Sequence, residues 1–329
     1  MTILKDTVMR QIPATPQTLP QPSAEPANAS RRNFLKCGAW AGAGILWTVA
    51  GGIPRSTGLG FGNAAFADAS GFSFVQISDS HIGFNKAPNP DAAGTFHEAI
   101  QQVQALSTKP AFMIHTGDVS HLSKPEQFDT AAQIIKGAKL DVHYVPGEHD
   151  VMVDDGKIFF ERFSPNPKGW YSFDQNGVHF VALVNVLGFK SGGYGHLGDE
   201  QLGWLDADLK PLSASTPVVV FTHIPLWLVY AEWGWGTDDA AQAMTYLKRF
   251  GSVTVLNGHI HQIIQKVEGT VSFHTANSTA FPQPAPGTAP NPGPMKVEAG
   301  RLKSLLGITS VNVMTGDQPL ALIDQPLGA

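Results

Sequence analysis

FSFVQISDSHIG, residues 72–83, begins as an apolar, β-branched run from Phe72 to Ile77 and breaks into a polar loop carrying Asp79 and His81. Such a short run bounded by turn residues reads as a buried strand. The same pattern returns along the chain. AFMIHTG (111–117) runs into Asp118 and His121, and DVHYVPG (141–147) into Glu148, His149 and Asp150. PVVVFTH (217–223) ends on His223, and SVTVLNGH (252–259) delivers His259 with His261 just beyond.

Helix-type segments lie between these strands: 94–106, 124–138 with Pro125 suited to the first turn, 198–210, and Asp239 to Phe250. Strands at 170–174 and 178–186 flank Gln175-Asn176-Gly177, whose Asn-Gly pair predicts a hairpin turn. QIIQKV and TVSFHTA read as a closing hairpin, and GITSVNV and LALID as edge strands in the tail. The proline-rich stretch 281–294 predicts an exposed loop. The chain is therefore α/β, without an internal repeat. In such folds ligands gather at the carboxyl ends of the strands.

Taken singly, each strand-end loop has a plain reading. An Asp there often caps a helix, and a lone histidine is more often hydrogen-bonded structure than a ligand. Together they do not: six of the twelve histidines sit in five separate strand-end loops beside carboxylates. That is how a fold converges metal ligands on one point.

In this order the loops (D-x-H, G-D-x-x-H, G-E-H-D, a lone His, G-H-x-H) resemble the calcineurin-like metallophosphoesterase family, from Asp79 to His261. The resemblance implies a four-layer α/β/β/α sandwich with two metal ions, Fe, Mn or Zn by their mixed His/carboxylate set. It gives Asp79, His81 and His261 to the first ion, Asp118 to both, and Glu148, His223 and His259 to the second. His149 becomes the proton donor to the leaving group, oriented by Asp150. Two such cations would bind phosphate oxygens and acidify a water for attack. The D-x-H opening resembles the branch acting on cyclic nucleotides and glycerophosphodiesters. A phosphomonoesterase of acid phosphatase or nucleotidase type would use the same centre.

One position departs from the family pattern. Glu148 stands where an Asn ligand of the second metal is usual. Its carboxylate would bind that ion more tightly but make it a weaker Lewis acid. Alternatively, Glu148 displaces the ion, leaving a non-catalytic metal-binding envelope protein. Retention of His149, Asp150, His223 and His259 favours a working site.

His121, where a branch of the family has an iron-binding tyrosine, is expected beside the first metal as an indirect partner. His115, His143 and His179 fall within strands and read as structural. LWLVYAEWGWG places Trp227, Tyr230, Trp233 and Trp235 directly after His223, a candidate surface for a nucleobase or apolar substrate group, or ordinary packing.

The first 67 residues read as a leader. Arg31-Arg32 precede Phe34-Leu35-Lys36 and a Gly/Ala-rich apolar run from Cys37 to Ile53, and Ala65–Ala67 form an A-x-A cleavage site. This resembles a twin-arginine export signal, implying the translocation machinery as a partner and a periplasmic or secreted product. The run is shorter than the ~20 residues of a membrane span, and Lys36 argues against lipidation at Cys37. Cleavage removes six of 22 basic and two of 27 acidic residues, moving the formal charge from −5 to −9. Such a surface does not attract a nucleic acid duplex or anionic lipid. The only cysteine also leaves, so residues 68–329 form one domain suited to an oxidising compartment and held by its core alone.

Overall fold

In the computed structural model, described residues are 45–50, 53–58, 71–188, 193–298, 300–313 and 320–328. Two mixed sheets carry the fold. The first has strands β1 (Ile45–Ala50), β2 (Ile53–Gly58), β3 (Phe72–Ile77), β4 (Met113–His115), β5 (Val142–Tyr144), β12 (Gly307–Val313) and β13 (Ala321–Pro326), ordered β2-β1-β13-β12-β3-β4-β5. The second has β6 (Tyr171–Gln175), β7 (Val178–Ala182), β8 (Val218–Phe221), β9 (Val253–Asn257), β10 (Gln265–Glu268) and β11 (Val271–Thr275), ordered β10-β11-β9-β8-β7-β6. β3, β4 and β5 run parallel, as do β7, β8, β9 and β11.

Strand alternation builds the layers, because successive side chains face opposite sides of a sheet. Phe74, Phe112 and Ile114 of the first sheet meet Phe180, Val219, Phe221 and Leu256 of the second in one core. The opposite faces bury against helices. Val75, Ile77 and Met113 pack with Phe96, Ile100 and Val103 of α1 (Ala92–Gln104) and Phe128 and Ala131 of α2 (Pro125–Lys136). Val181, Val218, Val220 and Val255 pack with Leu202 and Leu205 of α4 (Asp199–Leu209) and Ala243 and Leu247 of α5 (Ala240–Leu247). The short α3 (Lys157–Phe163), which the sequence pattern did not reveal, adds Phe159 and Phe160 to the first of these layers. This is the expected α/β/β/α sandwich.

Local chemistry sets the element ends. Asp91 caps α1 by accepting from Gly94 N at 2.8 Å, and Pro125 opens α2. Asn176 and Gly177, at φ 49° and 81°, form the two-residue turn between β6 and β7, matching the predicted hairpin.

The tail differs from expectation. β12 is an interior strand, antiparallel to both β3 and β13, and Ile308 and Val311 are buried. Its alternating pattern identifies a strand but not its neighbours, because one of them, β3, lies more than two hundred residues away. β1 and β2 pair with each other, and β1 joins β13 through Ile45–Leu322 and Leu46–Ala321. Both fall within the segment read as leader, and cleavage after Ala67 would leave β13 at the edge. Arg31, Arg32 and Ala65–Ala67 lie outside the described residues. Among the described residues no helix is long and apolar enough to cross a membrane.

Candidate metal centre

All five loops leave parallel strands at their carboxyl ends, so they meet where the two sheets abut. Backbone bonds stitch them: Asp79 N donates to Gly117 O at 3.0 Å and His81 N to Asp118 O at 2.9 Å. From the other sheet, His259 N reaches both carboxylate oxygens of Asp79 at 3.2 Å. Asp79, His81, Asp118, His259 and His261 all adopt left-handed backbone conformations, with φ between 41° and 71°. This costs of order 1 kcal/mol for each such residue, a strain retained where the surroundings over-determine it, typically at functional sites. Gly147 is required by contact: a Cβ there would overlap the Asp118 carboxylate.

The side chains form two groups around Asp118. On one side His261 Nε2 stands 3.1 Å from Asp79 Oδ1 and 3.2 Å from His81 Nε2, which is 3.4 Å from Asp118 Oδ2. On the other, His223 Nε2 lies 2.8 Å from Glu148 Oε2 and 3.6 Å from Asp118 Oδ2, while His259 Nδ1 lies 3.0 Å from Glu148 Oε1. Asp79/His81/His261 and Glu148/His223/His259 can each surround a cation. Glu148 is turned inward, between two histidines.

The protein fits a metal pair on its own terms. His223 Nδ1 donates to Thr116 O at 2.6 Å and His261 Nδ1 to Phe281 O at 2.5 Å, which leaves each Nε2 aimed inward to take a cation. His223 Nε2 is buried and makes no hydrogen bond of proper angle to the carboxylates around it. A buried nitrogen set 2.8 Å from one carboxylate oxygen and 3.6 Å from another is placed to serve a cation held between them.

Charge follows the same geometry. Burial raises the Glu148 carboxyl, but His259 and His223 outweigh it and hold it well below its usual range. Burial likewise opposes Asp79, which His261 and then His223 keep low. Burial and neighbouring His149 push His81 well below its ordinary value, into its neutral, ligating form. Burial disfavours charge on His223 and His149, yet Asp118 and Glu148 raise both. Bound cations would satisfy those same carboxylates and so remove much of this upward push.

His149 sits at the rim of the cluster. Its N donates to Asp118 Oδ1 at 2.9 Å, and its Nδ1 donates to His121 O at 2.7 Å, leaving Nε2 toward the centre. Asp150 does not orient this ring, contrary to expectation. It is fully buried and accepts from Val119 N, Ser120 N, Ser120 Oγ and Gly147 N at 2.7–3.0 Å. It therefore fastens the Asp118 loop to the Glu148 loop. Burial and Asp118 push its carboxyl up to about 7, against the pull of those backbone donors. His121 touches His81 through Nδ1 at 3.3 Å and stacks on His149 with centroids 4.9 Å apart.

Other positions fall outside the centre. His115 is buried on Ser80 Oγ at 3.0 Å, with its pKa lowered to about 3 by burial. Trp227 packs on Phe273 at 4.9 Å and Trp235 is 1% exposed, so both belong to the core and not to a substrate surface. Tyr230 and Trp233 are half-buried, edge to face at 5.1 Å.

The sequence reading missed Phe281, whose ring lies 4.8 Å from His81 and 4.6 Å from His261. Gln262 donates to Pro284 O and Gln283 to His259 O, so the proline-rich segment begins packed on the ligand loops. Asn185 and Asn257 were also missed; both donate to Ile224 O, fixing the loop after His223. Each is an amide closing an apolar strand run, an unusual placement that could have marked it.

A family model described as calcineurin-like phosphoesterase matches residues 72–263. A 3′,5′-cyclic-nucleotide phosphodiesterase of Nostoc sp. is 24% identical over 215 residues, covering 64% of this chain and 79% of the relative. A glycerophosphodiester phosphodiesterase of Enterobacter lignolyticus is 22% identical over 226 residues, covering 64% and 78%. The solved structure of a dimetal phosphatase from Danio rerio superposes with TM-score 0.54 at 15% identity, covering 77% of this chain and 98% of that one.

Proposed function

The chain belongs to the calcineurin-like phosphoesterase family, as a phosphoric ester hydrolase with a centre for two metal ions, and we propose that it is an exported phosphodiesterase. The observation that carries this reading is the pair of ligand groups astride Asp118 with His149 beside them. The two relatives named for phosphodiester substrates support the diester preference. Arg31-Arg32 and Ala65–Ala67 support export by the twin-arginine machinery to the periplasm or beyond.

In this proposal Asp79, His81 and His261 would hold one ion, Glu148, His223 and His259 the other, with Asp118 between the two groups. Such ions, Fe, Mn or Zn, would supply positive charge for the phosphate oxygens and lower the pKa of a water. The chain's residues do the rest. The left-handed loops fix the ligands in place before substrate arrives. The oxygen of a water that has lost one proton to solvent bonds to phosphorus as the opposite P–O ester bond breaks, and protonated His149 gives its Nε2 proton to the departing oxygen and regains one from solvent. His121 O holds His149 Nδ1–H, so the donating nitrogen points inward.

The test is initial rates on bis(p-nitrophenyl) phosphate and p-nitrophenyl phosphate, with protein loaded in turn with Mn, Fe and Zn. Faster diester turnover that chelation abolishes agrees with the proposal. Faster monoester turnover overturns the diester preference, and no turnover with any metal overturns catalysis by this centre.

A further inference from the structure

Seven large hydrophobic side chains are exposed among the described residues; five of them lie on the ligand loops and a sixth, Leu187, on a loop bonded to one of them. Leu122 follows His121, Met152 and Val153 follow His149 by three and four positions, Leu228 follows His223 by five, and Ile263 follows His261 by two. Leu187 stands two residues beyond Asn185, which is bonded to the His223 loop through Ile224 O at 2.8 Å. Met152 and Val153 are 59% and 70% exposed and Leu228 59%, so these are bare hydrocarbon surfaces and not shoulders of the core.

The loops also join one another. Met152 N donates to Ser123 Oγ at 3.0 Å, which brings it beside Leu122. Asp155, two residues after Val153, and Leu187 line one cleft of about 690 Å³ together with Phe160, Pro167 and Trp170. No arginine lies on any ligand loop; Arg162 pairs with Asp129, and Arg249 with the carbonyls of Leu209 and Leu212. Lys157 and Lys168 also line the cleft, but Asp155 and Glu161 beside them cancel their charge and Lys168 pairs with Glu200, so a polyanionic ester arm gains no net attraction there, whereas hydrocarbon meets Leu187, Phe160, Pro167 and Trp170.

We infer that the diester's outward arm is a long hydrocarbon, carried past Met152 and Val153 to Leu187 and the cleft beside Trp170. The inference rests on the phosphodiesterase reading above and names the substrate class for it: an alkyl or acyl-glyceryl phosphodiester, not a small polar one. The phosphate stays with the ligand cluster, and the rim contributes affinity through apolar burial.

Two readouts test it on the metal-loaded protein. The first is kcat/KM on methyl and octyl p-nitrophenyl phosphates. The expected result is at least a tenfold advantage for octyl, carried by KM, about the effect of two buried methylenes. The second is calorimetric binding of the uncleavable analogues dimethylphosphinate and methyl(octyl)phosphinate, where octyl should bind tighter with a more negative heat-capacity change. In V153T/L187Q, with folding verified by circular dichroism, the octyl advantage should fall at least threefold in both readouts. Equal values for the two chain lengths in the unaltered protein, with methyl turnover intact, overturn this inference and leave the diesterase reading standing. An octyl advantage undiminished in V153T/L187Q overturns the assigned path. No turnover of either ester overturns the inference together with the reading it rests on.

Discussion

Glu148 Oε2 lies 2.8 Å from His223 Nε2, and the same carboxylate reaches His259 Nδ1. A residue that departs from the family pattern thus occupies the middle of one ligand group. Its longer stem is accommodated because the turn Glu148–Asp150 starts directly after Gly147, against Asp118. Glu148→Ala is expected to retain about one metal equivalent per chain where the parent retains two, measured by elemental analysis after mild chelation. Glu148→Asn, which restores a neutral oxygen, should keep two equivalents but release one of them faster.

His149 is held by Asp118 through its backbone N and by His121 O through Nδ1, which frees Nε2 for the site. His149→Asn should lower kcat by roughly 10²–10⁴-fold while both metals stay bound. The loss should be larger for an alkyl leaving group than for p-nitrophenolate, which needs no proton to depart. Equal losses for the two leaving groups would argue against proton donation.

Asp150 is a staple between loops. Asp150→Ala leaves three backbone N–H groups without their acceptor, while the Ser120 hydroxyl still reaches His149 O. At about 1 kcal/mol or more for each buried donor, the loss should be roughly 3 kcal/mol, read as a lower midpoint in urea unfolding. A variant of unchanged stability would return Asp150 to a purely catalytic role.

His179 gives a pH signature away from the centre. Burial disfavours its charge, but bonds at 2.9 Å to Asp208 and Asp174 outweigh that and raise its pKa above the ordinary value. A raised folded-state pKa contributes stability fully below the unfolded value of about 6.5 and loses it as pH rises through the folded value. His179→Gln should therefore destabilise more at pH 5.5 than at pH 9, measured by urea unfolding at both.

Much of the centre was legible because metal chemistry demands particular residue types, and a parallel sheet demands that they follow strands directly. Asp79, His81, Asp118, Glu148, His223, His259 and His261 all satisfy both requirements. Phe281 was not legible, since it acts through its carbonyl and ring face, which any residue order could supply. Trp227 and Trp235 misled for the opposite reason. Aromatic side chains beside a ligand suit substrate or core equally, and only the layer formed by α4, α5 and β11 decides for the core. The interior place of β12 depends on pairing with β3 across more than two hundred residues, which no local pattern encodes.

The most direct measurement is an anomalous difference map from crystals of manganese-loaded protein. Two peaks ~3.5–4 Å apart are expected, one against Asp79, His81 and His261 and the other against Glu148, His223 and His259, with Asp118 touching both. A single peak, or a second peak with the Glu148 carboxylate turned away from it, would contradict that expectation.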